Sequence, residues 1–164
     1  MGKKIIVLNG SPRKNGNTSA LVKAFRDGAE SAGHSVTEFW LGGMKINGCR
    51  GCCAGGKNPE SPCVQKDDFN GIAEKLREAD LVAFASPLYF WTISSRLKAR
   101  IERFYCLSQE DPNTPRGRYE NEPEKDWVLL MTAADDCFWH FEQAGYEYRF
   151  TLDKYIGSTV HGQT

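Results

Sequence analysis

KKIIVLNGSPRKNGNT, Lys3 to Thr18, decides how the rest of the chain is read. Ile5-Ile6-Val7-Leu8 is an unbroken apolar run, too short for a helix and β-branched enough for a strand buried on both faces. Asn9-Gly10 stops it with a turn signal. Ser11, Arg13, Asn15, Gly16, Asn17, Thr18 and Ser19 follow, nearly all of them hydrogen-bond donors. Leu21, Ala24, Phe25, Gly28, Ala29 and Ala32 then share one helical face. Strand, polar turn and helix N-terminus in that order aim free backbone N–H groups and the positive end of a helix dipole at one spot. Such a spot suits a phosphate; the hydroxyls add donors and Arg13 a charged fork. The alternative is an ordinary turn with solvated polar residues.

The nucleotide-type P-loop needs Gly, four residues, then Gly-Lys-Ser/Thr. Here five residues separate Gly10 from Gly16, and Asn17 stands where the lysine belongs. The group that reaches β- and γ-phosphates is missing, and so is a G-x-G-x-x-G fingerprint. What remains suits a single terminal phosphate monoester.

At this point GSPRKNGNTSALV, Gly10 to Val22, resembles the phosphate loop of the flavodoxin-like NAD(P)H-dependent FMN reductases and iron–sulfur flavoproteins. The resemblance runs from Lys3 to about Phe104 and returns weakly afterwards. It implies that Ser11, Arg13, Asn17, Thr18 and Ser19 hold the 5′-phosphate of FMN.

A chain of 164 residues is expected to form one domain, 1–164, with a real core. Lysine plus arginine and aspartate plus glutamate each number 21, so nothing in the charge points to nucleic acid or an anionic membrane as partner. No apolar run approaches a membrane span, and Met1-Gly2-Lys3-Lys4 leads straight into a strand rather than a signal-peptide core. The expectation is a cytoplasmic protein whose six cysteines are not structural disulfides.

Ser35 to Leu41 alternates polar and apolar, as an edge-side strand does; His34 reads as a helix-end residue. Gly42 to Lys66 is long, rich in Gly, Cys and Pro, and without periodicity, which marks a functional or mobile loop. It holds Cys49, Cys52, Cys53 and Cys63. A C-x-x-C pair serves metal binding, thiol redox chemistry or an iron–sulfur site. Iron–sulfur members of the resembling family carry C-x-x-C-x-x-C and a fourth cysteine in this loop. Cys49 and Cys52 match the first two positions, Gly55 stands at the third with Cys53 nearby, and Cys63 is displaced by an insertion containing Pro59 and Pro62. The resemblance therefore leaves a [4Fe–4S] cluster open beside free or zinc-binding thiols.

Asp67-Asp68 signals a helix N-cap, and Phe69, Ile72, Ala73 and Leu76 mark a helix ending near Ala79. Leu81 to Ala85 is a second wholly apolar strand. Ser86-Pro87-Leu88-Tyr89-Phe90-Trp91 follows at its carboxyl end, where ligands of open α/β sheets bind. Three successive aromatics in a turn are costly to leave in water, so they pack on the core or on a ligand. The resemblance implies the second: Pro87, Leu88, Tyr89, Phe90 and Trp91 match the loop that walls the isoalloxazine ring. Ser94 or Ser95 caps the next helix, whose inner face is Leu97, Ile101 and Phe104. Arg96, Lys98, Arg100 and Arg103 read as its solvated face, and Cys106 as a small buried residue.

Ser108 to Asp126 reads as a surface excursion and Trp127 to Met131 as the fourth strand. Ala133 and Asp135 lie at that strand's carboxyl end, beside the implied flavin, where the family has Gly-rich sequence. Asp135 or Asp136 is alternatively the cap of a helix over Cys137–Ala144 that Gly145 ends; His140 reads as a packing residue. Tyr155 to Val160 is the expected fifth strand, with no final helix after it, so part of a sheet face is expected to be bare, which implies either a partner subunit over it or a shortened chain.

The predicted architecture is an α/β, flavodoxin-like three-layer sandwich with a five-stranded parallel sheet in the order 2-1-3-4-5. The resemblance implies an FMN-dependent oxidoreductase with NAD(P)H as co-substrate and a quinone, flavin, azo compound or other small electron acceptor; the bare sheet face adds the expectation of a homodimer or homotetramer. Because the cofactor does the chemistry, no side chain is assigned as catalytic acid or base. Two other readings stay open: an iron–sulfur electron carrier without a nicotinamide site, and a non-enzymatic FMN-binding module.

Overall fold

The structure is a computed structural model that describes residues 2–56, 58, 61–107, 125–135 and 138–152. Strands β1 (Lys4–Asn9), β2 (Ser35–Trp40), β3 (Leu81–Pro87) and β4 (Asp126–Thr132) form one parallel sheet in the order β2-β1-β3-β4. Each crossover carries a helix: α1 (Asn17–Ser31) after β1, α2 (Phe69–Glu78) before β3, and α3 (Ser95–Glu102) before β4. A 3-10 turn, Phe138–Phe141, leads into α4 (Glu142–Arg149). The predicted order holds over these four strands. The expected fifth strand, Tyr155 to Val160, lies outside the described residues, as do most of the Ser108–Asp126 excursion, Asp136 and Cys137.

The doubly buried reading of Ile5 to Leu8 follows from pleating, which sends alternate side chains to opposite faces. Ile5 and Val7 join Val22 and Phe25 of α1, with Ala83 and Ala85 of β3. Ile6 and Leu8 face the larger core of Phe69, Ile72 and Leu76 from α2, Leu97 from α3, Val82 and Phe84 from β3, and Tyr148 from α4. Phe84 stacks on Trp127 of β4 at 5.3 Å and meets Tyr148 edge-on at 5.5 Å. The pairing Val7↔Ala83 and Leu8↔Phe84 puts the two apolar runs side by side in the sheet's centre.

Three expectations are corrected. Gly145 does not end a helix; it is buried within α4, which starts at Glu142 and buries Ala144, Gly145 and Tyr148. The helix therefore lies further along the chain than Cys137–Ala144, because this small-residue face is what packs on the core. Arg100 and Arg103 are not solvated: both are buried against the Phe69 ring, their guanidinium carbons 5.4 and 4.7 Å from its centre. Asp68 occupies the N-cap position of α2 without a side-chain cap bond. Its carboxylate accepts the Lys45 N–H instead, while Asp67 accepts from Phe69 N–H at 3.2 Å.

Candidate functional site

Parallel packing places the loops after β1, β3 and β4 at one edge of the sheet. Four hydrogen-bonded pairs tie them together. Gly10 N–H donates to the Ala85 carbonyl at 2.8 Å, and Ser94 Oγ donates to the Gly10 carbonyl at 2.8 Å. Leu88 N–H donates to the Thr132 carbonyl at 2.8 Å. The buried Thr18 hydroxyl meets that of Thr132 at 2.7 Å. Gly10 has no room for a side chain: a Cβ there would lie 2.7 Å from Ser94 Oγ and 2.8 Å from Leu97 Cβ.

The first loop is braced from beneath by Asn9, which is wholly buried. Its Nδ2 donates to Ser19 Oγ and to Glu38 Oε1 at 3.1 and 2.8 Å, and its Oδ1 accepts from Ser11 N–H at 3.0 Å. Ser11 Oγ and Ser19 Oγ both donate to the Arg13 carbonyl, at 2.9 and 3.2 Å. These two hydroxyls thus shape the turn. Arg13 and Asn17 are exposed at its rim. Trp40 closes the far side, donating Nε1–H to the Ser11 carbonyl at 2.9 Å. Gly16 occupies the N-cap position of α1 without a side-chain cap, and no acid stands in the first turn. The N–H groups of that turn and the helix dipole therefore face outward, ready for an anion.

The second loop is a two-residue reversal. Tyr89 N–H donates to the Thr92 carbonyl at 3.0 Å and Thr92 N–H to the Tyr89 carbonyl at 3.1 Å. Phe90 and Trp91 at its tip have φ of +47° and +60°, a conformation that glycine adopts freely and large side chains rarely do. Phe90 is 94% exposed, Trp91 49% and Tyr89 45%. Strain of this kind costs on the order of 1–3 kcal/mol per residue and clusters where a ligand is held. Thr92 Oγ1 donates to Glu147 Oε2 of α4 at 2.9 Å, and Trp91 lies edge-on to His140 at 6.4 Å. Pro87 and Leu88 are half-buried at the root of this loop. Ala133 is half-buried after β4, and Asp135 is exposed, 3.9 Å from His140 Nε2.

The structure thus brings Ser11, Arg13, Asn17, Thr18, Ser19, Pro87 to Trp91, Ala133 and Asp135 to one edge. Their fit to FMN rests on two observations: an uncapped helix N-terminus for the phosphate, and a strained turn that keeps three aromatic rings out of the core. The roles of Asn9 and Trp40, and the bond from Ser94 to Gly10, were missed from sequence because each acts through a partner distant along the chain. Asn9 at the last strand position before a glycine was the one local signal. A cavity of about 280 Å³ between α3 and α4, lined by Ile101, Phe104, Tyr148 and Leu152, shares only Ile93 with these loops.

The cysteine-rich segment is divided. Cys49, Cys52 and Cys53 are exposed, with Gly51 N–H reaching Cys49 Sγ at 3.4 Å. Cys63 is buried and accepts from Arg103 Nε–H at 3.1 Å. Among the described residues, no three His, Cys, Asp or Glu side chains stand together as a metal-ion ligand set. The four thiols named from sequence do not converge, so a four-thiol cluster does not fit this arrangement. Cys106 lies beside Cys63; burial, with that neighbour, pushes its thiol up to about 12.

Beneath this segment, Arg103 grips Asp67 with Nη1 and Nη2 at 2.8 and 3.1 Å. Burial raises the Asp67 pKa, but the hydrogen bonds from Arg103, Asn47 and Phe69 and the Arg103 charge outweigh it and hold the carboxyl below its ordinary value. Arg100 has no such partner for Nε and Nη1 among the described residues, and burial lowers its pKa to about 10.

The profile of a family described as NADPH-dependent FMN reductase matches residues 3–132. An iron–sulfur flavoprotein of Archaeoglobus fulgidus is 34% identical over 116 residues, 71% of this chain and 51% of that protein. The chain spans about half the length of the first curated relatives it matches. Among solved structures, RosB with a bound riboflavin-phosphate intermediate superposes with a TM-score of 0.72 at 20% identity, covering 97% of this chain and 62% of RosB. An NAD(P)H:quinone oxidoreductase from Methanothermobacter marburgensis gives 0.70 at 19% identity, covering 98% and 83%. These two likenesses concern the fold.

Proposed function

The chain belongs to the NADPH-dependent FMN reductase family, and from that premise we propose that it is an FMN-dependent NAD(P)H oxidoreductase delivering electrons to a quinone, a flavin or a similar small acceptor. The observation that carries the reading is the Phe90–Trp91 turn, strained and solvent-exposed, tied through Leu88 and Thr132 to the uncapped start of α1. Neither feature is explained by folding alone. When bound, FMN would supply the redox chemistry, taking a hydride from the nicotinamide and passing electrons onward.

The chain's own residues hold and shield it. The first-turn N–H groups of Asn17, Thr18 and Ser19, with Arg13 at the rim, hold the phosphate. Pro87 to Trp91 would wall its ring and exclude water from it, and Ala133 and Asp135 would also contact it. Thr92–Glu147 and Trp91–His140 contacts fix where that wall stands. A homodimer or homotetramer is part of this reading: Tyr146 and Phe150 stack on one another at 6.3 Å on α4 and remain open to solvent.

The test is a visible absorption spectrum of protein purified without oxygen and reconstituted with FMN, before and after NADPH. A flavin spectrum that bleaches on NADPH addition supports the proposal. FMN bound but unreduced by either nicotinamide removes the reductase and leaves a binding module. No FMN binding at all sinks the reading of both loops.

A further inference from the structure

The division of the cysteines has a chemical consequence. Cys63 and Cys106 are 7% and 6% exposed and meet at the Arg103 side chain and backbone. Arg103 Nε–H donates to Cys63 Sγ at 3.1 Å and Cys106 Sγ donates to the Arg103 carbonyl at 3.0 Å, so one residue binds both thiols. We propose that Cys63 and Cys106 are a redox-active dithiol that a peroxide closes to a disulfide, strapping the segment 42–66 to the turn after α3.

Three features keep the pair together. Cys63 is pinned to α2 on both sides, its N–H donating to Asn70 Oδ1 and its carbonyl accepting from Asn70 Nδ2, each at 3.1 Å. Gly55 lies against Cys106 so closely that a Cβ there would stand 2.4 Å from Cys106 Cβ and 3.0 Å from the Pro62 carbonyl. Gly56 N–H donates to that same carbonyl at 2.8 Å. The Cys63 sulfur thus faces Cys106 and a fixed guanidinium, not the exposed Cys49, Cys52 and Cys53. The guanidinium is a cationic neighbour of the Cys63 sulfur.

The chemistry balances in two steps. Cys63 sulfur attacks hydrogen peroxide; an S–O bond forms, the O–O bond breaks and water leaves, giving a sulfenic acid. Cys106 sulfur then attacks Cys63 sulfur; the S–S bond forms, the S–O bond breaks and a second water carries away the Cys106 proton. Two thiols lose two electrons to one peroxide. A buried pair admits peroxide more readily than a bulky disulfide reagent. The segment begins after β2 at the same sheet edge as the flavin-type site, so the strap would tie one wall of that edge to α3.

The full chain is reduced, desalted without oxygen, treated with one equivalent of hydrogen peroxide, alkylated, and mapped by non-reducing peptide mass spectrometry. A Cys63–Cys106 crosslink approaching one per chain, reversed by dithiothreitol and accompanied by a higher Tm, is expected. In Cys106→Ser, or Cys106→Ala should the serine variant fold poorly, the crosslink disappears and dimedone traps a sulfenic acid at Cys63. Cys63 and Cys106 still alkylated in full while Cys49, Cys52 or Cys53 oxidise overturns the proposal. So does stoichiometric iron and sulfide in protein purified without oxygen, with Cys63 protected until they are removed.

Discussion

Replacing Asp67 by asparagine removes the negative half of a buried ion pair while keeping its shape. The side chains of Arg103 and Asp67 are 1% and 5% exposed, so solvent screens little of the interaction. The carboxylate accepts two bonds from Arg103 and one each from Asn47 and Phe69 N–H. Asparagine retains one oxygen and turns an amide group toward donors. Arg103 then stays buried without its countercharge, beside Arg100, whose Nε and Nη1 lack partners among the described residues. Breaking one partner of a buried pair costs about 3–5 kcal/mol, and the amide keeps part of the bonding, so the lower value, about 3 kcal/mol, is expected. For a chain of this size that is a fall in Tm of roughly 6–12 °C.

The pH dependence follows from the sign of the shift. The Asp67 pKa is lower folded than its unfolded value of 3.8. Its contribution is therefore complete above 3.8 and is lost as pH falls through the lower, folded value. Urea unfolding of both proteins at neutral pH and at a series of acidic values reads this directly. The gap should be widest near neutrality and should narrow below about pH 4. A variant within about 0.5 kcal/mol of the parent at pH 7, or a gap unchanged in acid, would refute the assignment of Asp67 as the countercharge of Arg103.

Three further substitutions probe the site. Gly10→Ala forces a methyl group against Ser94 Oγ and Leu97 Cβ and should cost about 1–3 kcal/mol in urea unfolding. Trp91→Gly relieves a positive φ and should stabilise the FMN-free chain by about 1 kcal/mol while raising the FMN Kd at least about tenfold by fluorescence titration; a less stable variant contradicts strain at this turn. Thr18→Val breaks the part-buried hydroxyl pair with Thr132 and should cost about 1 kcal/mol by calorimetry together with weaker FMN binding.

The strands and their order were legible in the sequence because their signals are local. Ile5 to Leu8 and Leu81 to Ala85 are apolar on both faces, and only the centre of a parallel sheet buries both faces of a strand. The phosphate-type turn was legible for the same reason, since strand, donors and helix follow one another along the chain. The aromatic turn was located, but its positive φ angles were not, because they come from the Tyr89–Thr92 reversal and its tether to Glu147.

What only tertiary structure decided are partnerships across long separations. Arg100 and Arg103 looked solvated because a charged helix face is ordinarily wet; Asp67 and the Phe69 ring, more than thirty positions earlier, draw them inside. Asn9 looked like a turn residue and is instead the buried support of the phosphate-type loop, through Glu38 on the neighbouring strand. Cys63 looked like a fourth ligand beside Cys49 and Cys52, yet its backbone bonds to Asn70 turn it toward Arg103 and Cys106. Spacing along a chain states which residues are near in sequence. The direction in which a buried polar group points is set by whichever distant partner satisfies it, because leaving it unpaired costs more than any local preference supplies.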